Sequence, residues 1–276
     1  SDEVDLTDAR SVADYLSNTR PDAVIHAAGL VGGIHANMAR PVDFLSVNTI
    51  IGNNIVLGAR SAGVERFINL ASTCMYPRDH EGALGEDLIL KGELEPTNEG
   101  YALAKIFTTR LCQYVRRENP ELHYKTLIPC NLYGRHDKFD PTKSHLVPAV
   151  IHKMHLAKVN GLKTVDIWGD GTARREFLYA GDLADAALRA LDDIQVIPEL
   201  MNVGLGTDYS IDEYYAEVAD VVGWSGEFVH DLTKPVGMRN KLADIGLLTN
   251  WGWSAPTSLS MGLRQTYAFY LSRIQA

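Results

Sequence analysis

The chain has 276 residues, 46% of them hydrophobic, enough to bury a full core as one large or two modest domains. Its 26 basic and 35 acidic residues give a formal charge of -9 with no basic run, which argues against a nucleic-acid surface. Three cysteines, Cys74, Cys112 and Cys130, form neither a metal-ligand spacing nor an even-numbered disulfide framework. No stretch approaches the ~20 apolar residues of a membrane span and no signal peptide is visible, so the expectation is a cytoplasmic protein without metal or membrane partner.

In chain order, residues 7–18 read as a helix and 23–28 as a short apolar strand of the kind buried in parallel sheets. A glycine-rich turn (Gly29, Gly32, Gly33) precedes a long helix over 42–62, closed by Gly63. A strand at 66–71 runs into Ser72-Thr-Cys74, and Pro96-Thr-Asn-Glu-Gly100 supplies start signals for a helix from Tyr101 to about Asn119. A strand over 122–128 leads to Pro129-Cys-Asn-Leu-Tyr-Gly134. After Gly134 come a polar loop, a helix over 147–156, a strand over 164–168, a helix over 182–191 and a strand over 201–203 that rejoins the main sheet. From Ser210 onward, helix and strand alternate as a smaller lobe. This alternation predicts an α/β fold with a doubly wound parallel sheet, whose ligands gather beyond the carboxyl ends of the strands. The expected division is a dinucleotide-binding part over 1–133, rejoined by about 177–204, and a substrate lobe over 134–176 and 205–276.

Tyr101-Ala-Leu-Ala-Lys105 puts a phenol and an ammonium on one helix face. Alone, the string better describes an amphipathic helix with a half-buried tyrosine and a solvated lysine. Following Ser72 and Thr73 at a strand end, it describes acid–base apparatus for hydride transfer at a carbonyl. A phenol of ordinary pKa about 10 is drawn toward a working range by a fixed cation. Strand, hydroxyls, loop, then Tyr and Lys on a helix resembles the extended short-chain dehydrogenase/reductase superfamily.

Further strings resemble its GDP-L-fucose synthase branch, the GDP-4-keto-6-deoxy-D-mannose 3,5-epimerase/4-reductases. They include Val31-Gly-Gly-Ile34, Ser72-Thr-Cys-Met-Tyr-Pro77, Glu95-Pro-Thr-Asn98, Asn131-Leu-Tyr-Gly134, Ser144-His145, Trp168-Gly-Asp-Gly-Thr172, Arg175-Glu-Phe-Leu178 and Lys234-Pro-Val-Gly237. The resemblance runs over essentially the whole chain and implies NADPH-dependent epimerisation and reduction of a GDP-sugar by a homodimer joined through the helices at 42–62 and 98–119. It implies Cys74 as base and His145 as acid at carbons 3 and 5. Tyr101 becomes the proton donor at the carbon-4 oxygen, with Ser72 bonded to that oxygen and Lys105 on the nicotinamide ribose. The cofactor would lie along Leu70, Ala71, Ser72, Thr73, Lys105, Pro129, Cys130, Asn131, Leu132 and His145. Lys153, Arg175 and Lys241 would hold the diphosphate, with Trp168 against the nucleotide.

Other readings of these residues stay open. Cys74 alone is a small buried hydrophobe, and His145 is one of nine histidines. Cys112 and Cys130 read as core, His26, His136, His152 and His155 as structural or solvated, and Arg174 and Lys234 as surface charges. Many relatives carry Arg where Lys153 stands, and Gly237-Met-Arg-Asn-Lys241 departs from the usual order, which leaves colitose or 6-deoxy-heptose relatives as alternatives. An Arg for a 2′-phosphate is not evident near Ser1, so NADP is expected with NAD open. The strand, glycine-rich turn and helix that open a dinucleotide fold (about 30–40 residues) are expected to precede Ser1. On that expectation this chain binds NADPH weakly, and a non-catalytic reductase-like protein is a further alternative.

Overall fold

The computed structural model describes residues 3–140, 144–233 and 241–274. The elements are α1 (Ala9–Thr19), β1 (Ala23–His26), α2 (Ile34–Ala39), α3 (Pro41–Ser61), β2 (Arg66–Leu70), α4 (Glu99–Glu118), β3 (His123–Pro129), β4 (Asn131–Tyr133), α5 (Leu146–Val159) and β5 (Thr164–Trp168). Then follow β6 (Arg174–Arg175), β7 (Phe177–Tyr179), α6 (Ala180–Asp192), β8 (Leu200–Val203), β9 (Tyr209–Ser210), α7 (Ile211–Val222), β10 (Glu227–Asp231), α8 (Gly246–Asn250) and α9 (Leu259–Ile274).

Local chemistry sets the helix ends. Asp8 caps α1 by accepting from Arg10 N, and Ser210 and Glu213 form a reciprocal capping box on α7. In α4, Glu99 lies in the first turn and Arg116 and Arg117 in the last, each opposite in sign to the helix end it occupies. β1, β2, β3 and β8 pair in that order, all parallel, with Leu70 opposite Leu127 and Pro129 opposite Val203. The expected return of 201–203 to the main sheet is therefore observed.

Successive side chains of a strand point to opposite faces, and β2 makes the two layers visible. Phe67 packs with Val12, Val56, Ala59, Cys112 and Val115 from α1, α3 and α4. Ile68 packs with Leu183, Ala186, Ala187 and Trp253 on the other side. A separate core of Val150, Met154, Ile167, Tyr214, Val218 and Leu263 holds α5, α7, α9 and β5 together. β5 pairs with β10, and the described residues after Ser210 form three helices and that one strand, so this part is more helical than the expected alternation.

Two-residue β6 and β9, and three-residue β4 and β7, escape sequence reading because they are too short to show a period. Short α2 was likewise unexpected. One expectation is corrected. α3 is 21 residues long, and an 18-residue window within it reaches a mean hydropathy of 1.2, long and apolar enough by composition to cross a membrane. It buries Phe44, Ile51, Val56 and Ala59, together with Asn48 and Asn54, in its packing against neighbouring elements. Its outward residues Val42, Leu45, Ile50 and Leu57 remain exposed, as do Leu103 and Phe107 of neighbouring α4.

Candidate active site

The site grows from the carboxyl ends of β1, β2 and β3. After β2 the chain turns at Ser72, whose hydroxyl oxygen accepts from Cys74 N at 3.3 Å and starts one turn of 3-10 helix, Thr73–Met75. Cys74 and Thr73 are buried, while Ser72 is half-buried. From α4, Lys105 donates to Leu70 O at 2.8 Å, and its Nζ lies 5.7 Å from the centre of the Tyr101 ring. Tyr101 packs beside the cluster that contains Cys74 and Ala71. Strand end, thiol, phenol and ammonium are thus brought together as the spacing implied.

The electrostatics differ from the expectation. Burial pushes the Tyr101 phenol well above its ordinary range, and negative charge at Cys74 adds to this. Lys105 lies toward the ring and bonds a carbonyl instead of the hydroxyl, so it does not draw the phenol down in this structure. A phenol kept protonated is suited to giving a proton away. Burial likewise raises the Cys74 thiol, opposed by positive charge at Lys241, the Ser72 hydroxyl and Lys105. Lys105 and Lys241 are both pushed down by burial and up by Cys74.

Asn131, on β4, donates to Glu176 O at 3.1 Å, which fixes the loop after β3 against the chain between β6 and β7. Pro129 and Cys130 are buried, and Leu132 is half-buried beside them. Arg175 lies within electrostatic reach of Lys241, as does Glu95. The structure therefore gathers Ser72, Cys74, Tyr101, Lys105, Lys241 and Arg175.

His145 stands apart. It is exposed at the start of α5, and among the described residues no contact joins it to Cys74. The main chain of Ser144 passes beside Gly33 in the loop after β1, which places this segment over the same end of the sheet. His145 faces Asp137, whose carboxyl is raised by burial and lowered by the Lys138 amide and by His145. Lys153 pairs with Asp166 at 2.9 Å and lies 5.8 Å from the Tyr215 ring centre. Exposed Trp168 donates to the same carboxylate. Lys153 and Trp168 thus form their own group through Asp166. Arg174, its side chain 43% exposed, is bonded to Asp208 at 2.6 Å and to Glu213, a paired charge at the surface. Residues 234–240, with Lys234 and Gly237, lie outside the described residues.

Sequence reasoning passed over Asp137, Asp166, Glu95 and Glu176. Glu95 and Glu176 carried a visible signal, lying inside the Glu95-Pro-Thr-Asn98 and Arg175-Glu-Phe-Leu178 strings. It also set His26 aside, but that ring is buried at the end of β1. Burial and the charge of Lys105 lower its pKa to about 4. Cys112 and Cys130 are buried free thiols, as expected of core residues.

Residues 1–204 match the family described as the NAD dependent epimerase/dehydratase family. The chain belongs to the NAD dependent epimerase/dehydratase family. It is 50% identical over 272 residues to the GDP-L-colitose synthase of Yersinia pseudotuberculosis, covering 99% of this chain and 88% of that one. It is 52% identical over 270 residues to the GDP-L-fucose synthase of Azorhizobium caulinodans, covering 98% and 86%. A solved GDP-mannoheptose C4 reductase from Campylobacter jejuni with NADP bound superposes with a TM-score of 0.89 at 30% identity, over 98% of this chain and 88% of that one.

The residues present fit a nicotinamide cofactor. Lys105 presents a buried ammonium with one carbonyl partner, the donor set that suits a diol. The loop after β1 is pinned by Asn48, which accepts from Leu30 N at 2.7 Å and donates to Leu30 O at 3.1 Å. Beside it a Cβ on Gly29 would come within 2.9 Å of Asn48 Oδ1, so a side chain there would press on the residue that pins this loop.

Proposed function

We propose that this protein is an NADPH-dependent GDP-sugar epimerase/reductase that inverts carbons 3 and 5 of GDP-4-keto-6-deoxy-D-mannose and reduces carbon 4, giving GDP-L-fucose. The observation that carries it is a cysteine placed between a strand-end hydroxyl and two ammonium groups, beside a Tyr–Lys pair. A simple carbonyl reductase has no use for that thiol, whereas epimerisation next to a ketone needs a base.

In this reading Cys74, as thiolate, removes the acidified proton at carbon 3 or 5. Lys241 and Lys105 stabilise the thiolate against the cost of burial. His145 returns a proton to the opposite face of the ring, with the Asp137 carboxyl beside it. Ser72 bonds the carbon-4 oxygen, and Tyr101 protonates it. Lys105, 5.7 Å from the ring centre, stabilises the phenolate left behind only by turning from Leu70 O toward the hydroxyl. Leu70, Ala71, Thr73, Lys105 and Pro129–Leu132 would hold NADPH, Lys105 through its ribose, and the bound cofactor would supply the hydride. Arg175 and Lys241 hold the diphosphate, and Lys153 and Trp168 meet the nucleotide once Asp166 releases the lysine.

The strands of the 1–133 part and the segment 177–204 build the cofactor side, and residues 134–176 and 205–276 the sugar side. Three buried free cysteines suit the reducing cytoplasm. We place a homodimer contact on the outer faces of α3 and α4, where Val42, Leu45, Ile50, Leu57, Leu103 and Phe107 are exposed together. Phe107→Glu with Ile50→Glu should give a monomer by sedimentation. An unchanged dimer mass would place the contact elsewhere.

The relationship to a GDP-L-colitose synthase supports one second reading, in which the sugar lacks its 3-hydroxyl. Turnover of GDP-4-keto-6-deoxy-mannose against its 3-deoxy counterpart separates the two. The first reading expects the larger kcat/KM for the 3-hydroxylated sugar, and the opposite order favours the second.

A further inference from the structure

Glu176 is 1% exposed, yet it carries a carboxylate with no ion-pair partner among the described residues. Its Oε1 accepts from Leu205 N at 2.6 Å and Gly206 N at 2.9 Å, and its Oε2 accepts from Ala243 N at 3.0 Å. Its main-chain oxygen accepts from Asn131. One residue thus ties the loops after β3 and β8, the strand end carrying Arg175 and the segment that begins at Lys241. The fit allows no substitute nearby, since a Cβ on Gly204 would sit 2.4 Å from Glu176 Oε1.

A buried carboxylate is costly unless its oxygens are satisfied. Three backbone donors meet that need, though burial still raises the carboxyl. Only a carboxylate offers acceptors to all three. A glutamine would turn one donor toward the Ala243 N–H, itself a donor. The arrangement does something that packing alone does not require. Ala243 lies two residues from Lys241, and Glu176 follows Arg175, so the clamp forces two cations together although they repel. Among the described residues, the Arg175 guanidinium bonds its neighbour's carbonyl, Arg174 O, at 2.7 Å. An anion between the two cations relieves their repulsion.

We propose that Glu176 is a positioning residue whose buried carboxylate clamps the Lys241 segment to the Arg175 strand, making the pair of cations a seat for the diphosphate of the nucleotide sugar. This rests on the reading under Proposed function and adds what holds that seat together. The clamp acts through Lys241, and this separates it from a merely structural role.

The test is a double-mutant cycle in GDP binding by calorimetry, with hydrogen exchange of the amides of residues 242–244. Glu176→Gln is expected to weaken GDP about tenfold, to raise KM for the sugar nucleotide more than it lowers kcat, and to speed exchange at Ala243. In a Lys241→Ala background the same change should cost little further. Gly204→Ala, which pushes on the carboxylate without altering its charge, should reproduce the effect if the glutamine variant fails to fold. An unchanged GDP affinity, or an equal penalty with and without Lys241, would overturn the proposal. Wild-type protein that ignores GDP but binds inorganic pyrophosphate with the same Glu176 dependence would uphold the clamp and overturn the nucleotide-sugar reading instead.

Discussion

Cys74→Ser is expected to slow deuterium uptake from solvent at carbons 3 and 5 by about 10²–10⁴-fold, the usual weight of a positioned general base. A serine hydroxyl keeps the size of the side chain and can still accept a hydrogen bond, but it is far too weak an acid to supply an anion here. The pH dependence has a definite sign. Burial holds the wild-type thiol above its ordinary pKa, so the thiolate is the minor form at neutral pH. The wild-type rate should therefore climb with pH through the neutral range and level only above the thiol pKa, and the serine variant should lose that limb. His145→Gln should also slow formation of inverted, deuterated sugar, with reduction suffering later. Normal deuterium uptake in the serine variant would remove Cys74 from the chemistry and leave it as one more buried thiol.

Tyr101→Phe should do the reverse. Losing the donor at the carbon-4 oxygen is expected to cut reduction by about 10²–10⁴-fold and to leave uptake at carbons 3 and 5 in place. The phenol is raised by burial, so it is protonated throughout the working range and reduction should not show a tyrosine limb near neutrality. Rapid-quench assays of hydride transfer, with exchange followed by proton NMR, read the two steps apart. Lost exchange with normal reduction would contradict the assignment of Tyr101.

Much of this was legible in the chain because buried parallel strands and long helices announce themselves. The apolar runs around Ile25, Ile68 and Leu127 became adjacent strands, and the helix carrying Tyr101 and Lys105 runs within one residue of its expected end. Composition misjudged α3, because its length and apolar content reflect a helix with one face on the core and the other exposed. The charges were the least legible. Spacing put Lys105 beside Tyr101, but it could not show that the ammonium turns to Leu70 O, or that burial outweighs it at the phenol. Lys153 read as a free cation, although Asp166, thirteen residues on, already pairs with it. Glu176 sat in a string whose arginine alone drew notice, since a buried carboxylate declares itself only through the amides around it.

The decisive measurement is the isotopic content of the product formed by the wild-type protein from GDP-4-keto-6-deoxy-mannose and NADPH in deuterium oxide. If thiol, imidazole, phenol and ammonium serve one ring, the GDP-L-fucose formed carries solvent deuterium at carbons 3 and 5 and protium at carbon 4. A reduced product that keeps protium at both carbons 3 and 5 would show that no proton leaves those positions, and the account would fail.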